Sequence, residues 1–358
     1  MRGGDGVDHF RRSTLNYFSA GGLDRATLLR PRDEWLEKRL SDPATRILPV
    51  WRSLALLQGD RVPRAVLLSP PQLRTGGFDC GAAIFLGVRA EVAYFALDLF
   101  CDEAALARVI PCGARFRELR DAGPLLDADD GAMLAYARAI TYWHARHRYC
   151  GNCGVATRIA EAGHLRVCSD PRCGQKHFPR TDPAIIVLVL HRDASGAGAD
   201  ESMAGIVPDN PLHSRHPWRS DARAEERCLL GRQRGWPESL FSAVAGFVEP
   251  GESLEDAVVR EVAEEAGITV TAVHYQSSQP WPFPSAVMLG FTATAADDVI
   301  VRRDQELAEA RWFTRSAIVE ALCDRRLQVA RRVSIAYRLL EDWFDAGELG
   351  PLAGYLPE

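Results

Sequence analysis

Residues 246–252 read Gly-Phe-Val-Glu-Pro-Gly-Glu, and residues 260–268 read Arg-Glu-Val-Ala-Glu-Glu-Ala-Gly-Ile. Glycines near both ends of this stretch are typical of a helix enclosed by two loops, because glycine adopts the backbone angles that tight turns need. Ser253 is placed to cap the start of the helix, and Gly267 is placed to end it. The stretch therefore predicts a loop–helix–loop unit.

The predicted helix carries acidic side chains close together on one side. At about 100° per residue, Glu261 and Glu265 lie about 40° apart around the axis, and Glu264 falls within an arc of about 100°. Carboxylates this close repel each other, and a hard divalent cation with oxygen ligands removes the repulsion. Arg260 is placed to pair with Glu252 and fix the loop against the helix. A solvated acidic face is the alternative, but the full spacing with its glycines favours a cation site.

Length, net charge and cysteine count restrict the classes of protein to which the chain can belong. The chain has 358 residues, which predicts two domains or slightly more, and its net charge of −5 argues against a generally nucleic-acid-binding surface. Nine cysteines, four of them in one cluster, fit a reducing compartment better than a disulfide framework. No signal peptide and no membrane-spanning stretch is found, so we expect a cytoplasmic protein without a membrane partner.

The first part of the chain predicts a small, mostly-β α+β domain at residues 1–127. Asp33 begins a predicted helix at 33–40, and strand-like runs follow at 46–51, 53–57, 66–68, 82–86 and 92–97. Gly-Asp at 59–60 and Gly-Gly at 76–77 are turn signals. This part shows no cluster of catalytic residue types.

A second constellation occupies residues 128–181. A helix predicted at 129–147, capped by Asp129 or Asp130, leads into two cysteine pairs, Cys150-x2-Cys153 and Cys168-x4-Cys173. Four thiolates in paired knuckles are typical of a closed tetrahedral Zn²⁺ site, which is structural because no ligand position stays open. Free or disulfide-paired cysteines are the alternative, and the second spacing departs from the commoner x2.

The same region is locally basic. Residues 138–180 contain eight Arg and Lys against two acidic residues. A solvated basic face is one interpretation, and a cradle for a phosphate-rich substrate or for the 5′ end of an RNA is the other.

The rest of the chain, residues 182–358, predicts an α/β/α sandwich. The apolar run at 184–190 predicts a strand buried on both faces, and further strands are predicted at 228–231, 240–245, 270–275, 287–293 and 310–313. Helices are predicted at 318–322 and 329–344 in addition to the acidic one. Residues 193–226 have no periodicity and predict a flexible insertion, with a lid over the site as the alternative.

A third constellation, at residues 278–284, reads Ser-Gln-Pro-Trp-Pro-Phe-Pro. Proline removes backbone donors, so this segment cannot be an interior strand, and we expect a stiff loop that presents Trp281 and Phe283. Such rings stack on a flat base or nicotinamide. A loop that only packs is the alternative.

Together these motifs resemble one family. Residues 246–268 match the Nudix box at every defined position, and with the four-cysteine ribbon and the proline-rich motif they resemble the NADH pyrophosphatase (NAD⁺ diphosphatase) family of Nudix hydrolases. The resemblance covers nearly the whole chain. It implies Mg²⁺- or Mn²⁺-dependent hydrolysis of NAD(H) to AMP and NMN or NMNH. It also implies a homodimer and, as in some bacterial members, removal of NAD caps from RNA.

The resemblance also implies site residues. Catalytic positions fall on Glu261, Glu264 and Glu265, and the metal-binding positions are Glu261, Glu265, Glu306 and the backbone carbonyl of Ala245. Glu264 is a further ligand or the general base, and the choice stays open. The implied substrate-binding positions are Phe178, Phe247, Gln279, Pro280, Trp281, Pro282, Phe283, Pro284, Ser285, Ala286 and Ala330.

Two departures and three alternatives remain. The family motif usually has Ser where this chain has Ala286, so a hydroxyl contact to substrate is missing, and the insertion after Leu190 is unusual. The alternatives are a Nudix hydrolase of ADP-ribose or other dinucleotides, an RNA-binding module, and an NAD sensor without turnover. The aromatic motif argues against the first, an intact set of box glutamates argues against the second, and the third stays open.

Overall fold

The computed structural model describes residues 8–19, 21–193, 226–302 and 306–356. The chain divides into two compact units. The ribbon unit comprises Tyr17–Asp182 and Pro280–Val287, and the box unit comprises Met1–Asn16, Pro183–Gln279 and Met288–Glu358. The insertion predicted at 193–226 lies, apart from its two end residues, outside the described residues.

The described helices are nine in number, besides short 3-10 turns. They are α1 (His9–Thr14), α2 (Asp33–Ser41), α3 (Pro70–Thr75), α4 (Glu103–Leu106), α5 (Leu119–Ala122), α6 (Ala128–Arg146), α7 (Leu254–Ala266), α8 (Arg315–Cys323) and α9 (Ile335–Asp345). Within the described ranges, none of them combines the length and the apolar character needed to cross a bilayer.

The ribbon unit contains a six-stranded sheet built from β1 (Arg46–Trp51), β2 (Leu54–Gln58), β3 (Arg64–Ala65), β4 (Ile84–Arg89), β5 (Val92–Asp98) and β6 (Ala114–Arg117). Its order is β3-β2-β1-β5-β4, with β6 paired to β2, and β1 runs parallel to β5. The predicted helix at 33–40 and strand at 46–51 are confirmed. The strand predicted at 66–68 is wrong, because β3 ends at Ala65 and Leu68 forms only an isolated bridge to Ile47.

Helix α6 leads into the cysteine ribbon. Its N-cap is Asp127, whose side chain accepts from the backbone N–H of Asp130, so the predicted caps Asp129 and Asp130 are wrong and lie in the first turn. The ribbon itself is a three-stranded antiparallel sheet of β7 (Thr157–Ala160), β8 (Leu165–Cys168) and β9 (Lys176–His177).

The box unit is a sheet covered on both faces. Its strands are β10 (Asp182–Arg192), β11 (Glu226–Gln233), β13 (Val244–Phe247), β14 (Val270–Trp281), β15 (Ala286–Ala295) and β16 (Leu307–Phe313). The order is β14-β15-β10-β11-β16, with β13 paired to β10. A separate parallel pair joins β12 (Leu240–Phe241) to β17 (Gln328–Val329).

Successive residues of β10 enter different cores, because side chains alternate across a strand. Ile186 and Leu188 pack in the cluster that contains residues of α8 and α9, whereas Ile185 and Val187 pack in the cluster that contains residues of α7. The continuous apolar run is explained by this double burial. The predicted fold class is confirmed: an α+β chain with a mostly-β N-terminal part, a central ribbon and a C-terminal α/β/α sandwich.

Three predicted elements of the box unit differ from the structure. The strand at 240–245 is split into β12 and β13. The helix at 329–344 begins only at Ile335, after the cap Ser334, because Gln328 and Val329 pair with β12 instead. Strand β14 continues to Trp281, so the predicted loop is wrong for residues 278–281. Pro280 is tolerated there because β14 lies at the edge of the sheet.

A buried carboxylate ties the sheet of the box unit to its helices. Glu226 is only 9% exposed, and its carboxylate accepts hydrogen bonds from Trp343 Nε1 at 2.7 Å, Arg315 Nη2 at 3.2 Å and Arg192 Nη2 at 3.2 Å. These donors come from α9, α8 and the end of β10. A buried carboxylate with several donors stabilises a fold through all of them together.

We expect Glu226→Ala to lower the free energy of unfolding by about 3 kcal/mol, because buried donors lose their acceptor. Urea denaturation followed by circular dichroism measures this loss. Glu320→Ala, an exposed change on α8, is the matched control and should be nearly neutral. An equal effect of the two variants would contradict the role assigned to Glu226.

Candidate active site

The loop–helix–loop unit has the predicted caps. Ser253 Oγ accepts from the backbone N–H of Asp256 at 3.1 Å, and the carboxylate of Asp256 accepts from the backbone N–H of Ser253 at 3.2 Å. This reciprocal arrangement satisfies two donors that a helix start otherwise leaves open. Gly267 ends the helix in the left-handed region with φ of 71°. The helix is therefore fixed at both ends by residues of the motif itself.

Arg260 is the centre of the site. Its Nε and Nη2 donate to the two carboxylate oxygens of Glu252 at 2.6 and 3.0 Å, which confirms the predicted pair. Its Nη1 also donates to Glu261 at 2.9 Å and to Glu264 at 3.1 Å, and Nη2 donates to the carbonyl of Phe247 at 2.9 Å. One guanidinium therefore holds the loop and the helix glutamates together.

The glutamates differ in exposure. Glu261 and Glu265 are buried at 8% and 2% exposure, whereas the side chain of Glu264 is 54% exposed. Burial raises the pKa of Glu261; Arg260 opposes this rise, and the charges of Glu264 and Glu306 add to it. The hydrogen bonds from Arg260 lower the pKa of Glu252 to about 2. The site thus combines two buried carboxylates with one that solvent reaches.

Gly246 makes room for the buried carboxylate. A Cβ atom added at this position would lie 1.8 Å from Glu261 Oε1 and 2.0 Å from its Cδ. The backbone of β13 pairs here with β10, Gly246 opposite Ile185 and Ala245 opposite Ile186. Because the strand is fixed by this pairing, only glycine lets the Glu261 carboxylate approach it. Gly246 was already visible in the sequence as part of the motif. The reason for a glycine at this position is its contact with Glu261, which the sequence alone does not show.

The other predicted metal positions also belong to the box unit. Ala245 lies in β13 beside Gly246. Glu306 is exposed immediately before β16, and its backbone carbonyl accepts from the N–H of Arg234 at 3.1 Å. Its charge acts on Glu261. Of the predicted substrate positions, Phe247 is 62% exposed, and Ala330 is partly buried against the cluster of α8 and α9.

Gln279 is buried at 1% exposure and holds the start of α9. Its Nε2 donates to the carbonyl of Val333 at 2.8 Å, and its Oε1 accepts from the backbone N–H of Ile335 at 2.8 Å. These contacts connect β14 to α9 within the box unit.

The tip of the hairpin between β14 and β15 groups with the ribbon unit. The rings of Trp281 and Phe283 meet edge to face at 5.0 Å between centroids, and Phe18 approaches Phe283 at 5.7 Å. Arginines cover both rings: Arg120 lies 5.2 Å from the Trp281 ring, and Arg138 lies 4.8 Å from the Phe283 ring. The sequence indicates the rings of Trp281 and Phe283 but carries no signal for Phe18 or the two arginines, which are far from them along the chain.

The remaining predicted substrate positions are also in the ribbon unit. Pro282 is buried, Pro284 is exposed, and Ala286 begins β15. The hydroxyl of Ser285 donates to the carboxylate of Asp182 at 3.1 Å. Phe178 is 66% exposed and follows β9.

The four predicted zinc ligands do come together in the ribbon unit. The Sγ atoms of Cys150, Cys153, Cys168 and Cys173 all lie within 4.8 Å of one another. His177 Nε2 lies 3.3 Å from Cys150 Sγ, and the backbone N–H of Asn152 donates to the same sulfur at 3.4 Å. Such donors around a ligand sulfur are typical of the outer shell of a metal site.

The sandwich with its glutamate helix defines the class of Nudix hydrolases. Three family models match the chain: a NUDIX domain at residues 221–333, an NADH pyrophosphatase-like rudimentary NUDIX domain at 44–143 and an NADH pyrophosphatase zinc ribbon domain at 145–178. The chain belongs to the NADH pyrophosphatase family of Nudix hydrolases.

Curated relatives resemble the chain over most of its length. The NAD-capped RNA hydrolase NudC of Mycobacterium bovis is 33% identical, over 94% of this chain and 97% of the relative. The NAD-capped RNA hydrolase NUDT12 of Macaca fascicularis is 31% identical, over 92% of this chain and 73% of the relative. A solved NUDIX hydrolase from Nitrosomonas europaea is 20% identical with a TM-score of 0.38, over 57% of this chain and 94% of its own.

We expect Gly246→Ala to weaken Mn²⁺ binding about 10- to 100-fold, the range for changes that displace a metal ligand indirectly. The added methyl group would collide with the Glu261 carboxylate. Electron paramagnetic resonance of Mn²⁺ titrations measures the affinity. Gly354→Ala is the control, because nothing lies within 4 Å of a Cβ there. Unchanged Mn²⁺ affinity in the first variant would remove Gly246 from the site.

We expect Cys150→Ser to release zinc and to lower stability by several kcal/mol, since a structural site forms together with the fold around it. Metal analysis of purified protein and thermal unfolding measure the two effects. Cys112→Ser, a change at an exposed cysteine, is the control. Wild-type protein without zinc, or a variant that melts like wild type, would show that the cluster is not a structural metal site.

Proposed function

We propose that the protein hydrolyses the diphosphate of NAD(H) to AMP and NMN or NMNH, and that it also removes NAD caps from RNA. One observation carries the proposal: Arg260 gathers Glu252, Glu261 and Glu264 around the loop that begins at Gly246. Carboxylates held together in this way suit a divalent cation, which supports metal-dependent hydrolysis of a diphosphate. The extension to capped RNA is supported by the names of the relatives.

The residues present fit a hard divalent cation. Mg²⁺ and Mn²⁺ prefer oxygen ligands, and the buried carboxylates of Glu261 and Glu265 supply them on one face of α7. Glu306 and the backbone carbonyl of Ala245 are the further ligands in this proposal. When bound, Mg²⁺ or Mn²⁺ would neutralise the diphosphate and polarise its phosphorus.

The chain's own groups have separate tasks in the reaction. Glu264 is more exposed than Glu261 and Glu265, and we assign it the proton of the attacking water. Arg260 keeps Glu264 and Glu261 in fixed positions, so little reorganisation is needed when charge develops. One phosphate then leaves as a monoester.

Substrate selection is assigned to aromatic stacking. Phe247 is exposed directly at the start of the box and offers a ring to a base or nicotinamide. The contacts implied at Phe178, Ala330 and residues 279–286 stay predictions. In the box unit, the buried amide of Gln279 already binds two backbone groups, which supports a positioning role for it.

Three further assignments complete the proposal. Zn²⁺ is the ion proposed for the four-cysteine cluster, with a structural role. A cytoplasmic location suits thiolate ligands, which a reducing compartment preserves. The homodimer implied by the resemblance stays a prediction that light scattering tests.

We expect Glu265→Gln to keep the fold and to reduce turnover by a factor of about 10² to 10⁴, the scale of losing a key electrostatic or acid–base group. NADH hydrolysis at saturating Mg²⁺ measures the effect. Glu255→Gln, an exposed change on the same helix, is the control. Near-normal turnover in the first variant would exclude the helix from the reaction.

Product analysis tests the proposed function itself. NADH, NAD⁺, ADP-ribose and a 5′-NAD-capped RNA are each incubated with Mg²⁺ or Mn²⁺, and the products are separated by chromatography. We expect AMP and NMN or NMNH from the first two and a 5′-monophosphate RNA from the last. Faster turnover of ADP-ribose than of NADH would favour another Nudix substrate class. Binding of NADH without any product would favour a sensor.

A further inference from the structure

A pair of adjoining cavities belongs wholly to the ribbon unit and has no part in the proposed reaction. Their volumes are about 510 and 420 Å³. Both are lined by Asp98, Phe100, Thr141, Ala145 and Arg148, and the larger one is also lined by the turn between β1 and β2. Volumes of this size are ordinary for small-molecule sites, which span about 300–1,000 Å³.

The cavities contain a carboxylate that is not satisfied within the protein. Asp98 ends β5 and is half-buried, and among the described residues no group donates a hydrogen bond to its side chain. Burial raises the pKa of Asp98, and the charge of Arg148 opposes the rise. A partly desolvated carboxylate gains most from a partner that brings N–H donors.

A flat ring and positive charge lie beside this carboxylate. Phe100 is 85% exposed, and the guanidinium of Arg148 lies 5.0 Å from its ring centroid. Across the larger cavity, Arg52 lies 4.4 Å from the ring of Trp51. Among the described residues, neither Arg52 nor Arg148 forms a salt bridge, so both guanidinium groups are available to an anion.

These features describe one kind of ligand: a flat base with adjacent N–H donors, joined to a phosphate. The carboxylate accepts only, so it matches guanine, which presents N1–H and N2–H side by side. Adenine presents one donor and one acceptor on the same edge. A cationic peptide would also donate to Asp98, but Arg52, Arg148 and Arg166 all line the cavities and would repel it.

We propose that the ribbon unit binds a guanine nucleotide, with the base stacked on Phe100 and paired to Asp98, and the phosphate held by Arg52 and Arg148. The ligand is a free nucleotide or a guanosine within an RNA chain, since both present the same base and phosphate. The site is independent of diphosphate hydrolysis, because none of its residues belongs to the box.

Isothermal titration of the full-length protein without added divalent metal tests the base preference. We expect GMP to bind about fivefold or more tightly than AMP or IMP, since IMP lacks the N2 amino group and a bidentate contact discriminates on this scale. Guanosine should bind more weakly than GMP, and Arg148→Gln should reduce that difference, because Arg52 is then the only one of the two arginines left to hold the phosphate. Equal affinity for GMP and AMP, or no binding of GMP, would overturn the proposal.

A specificity exchange gives a sharper test than loss of binding. In Asp98→Asn the side chain offers one acceptor and one donor, which match N1–H and the C2 carbonyl of xanthine. We expect this variant to prefer XMP over GMP, the reverse of wild type. Asp102→Asn is the control, because that carboxylate lines the same cavity but already accepts from the backbone N–H of Ala105 at 2.9 Å. An unchanged preference in Asp98→Asn would overturn the assignment.

Stacking and the source of the ligand are tested separately. Phe100→Ala should weaken GMP binding about tenfold, whereas Leu28→Ala, an equally exposed apolar position at 85%, should not.

A pentanucleotide with one central guanosine is compared with an all-adenosine one. Tighter binding of the first than of GMP, with the same dependence on Asp98, identifies RNA as the source. Binding of GMP alone identifies the free nucleotide.

Discussion

The hydrogen bonds of Arg260 are the interaction on which the arrangement of the box glutamates depends. The guanidinium meets three carboxylates and one backbone carbonyl, and its partners come from both the loop and the helix. Without it, the negative charges on α7 and the loop would repel each other, and the buried Glu261 carboxylate would lose the hydrogen bond that Arg260 donates. The arginine therefore fixes the positions of these carboxylates through contacts within the protein itself.

The sheet supports this arrangement from below. Strand β13 is held by its pairing with β10, which places Gly246 beneath the Glu261 carboxylate. Helix α7 is held by its caps and by Val258 and Val262, which pack in one of the two cores. Gln279 fastens β14 to α9 through backbone groups. The carboxylates of Glu261 and Glu264 thus stand on a helix that is capped and packed against the sheet.

Local patterns in the sequence were sufficient to predict much of the box and of the cysteine cluster. The caps Ser253 and Gly267, the Arg260–Glu252 pair and the four cysteines follow from spacing, because each depends on neighbours within a turn or on paired knuckles. Val329 was wrongly predicted as helix, because its pairing with Phe241 in β12 is set by a strand almost ninety positions away. The arginines over Trp281 and Phe283, and the cavity around Asp98, are likewise non-local and left no periodic signal.

The alternation of β10 between two cores has a consequence for a chain whose strands pair in the wrong register. A slip of one residue in this strand would exchange Ile185 and Ile186 between the clusters and would also displace Gly246 from its partner. The same register therefore governs hydrophobic burial and the approach of Glu261 to the backbone. A chain that pairs its strands wrongly would therefore lose the packing of both cores and the space for the Glu261 carboxylate together.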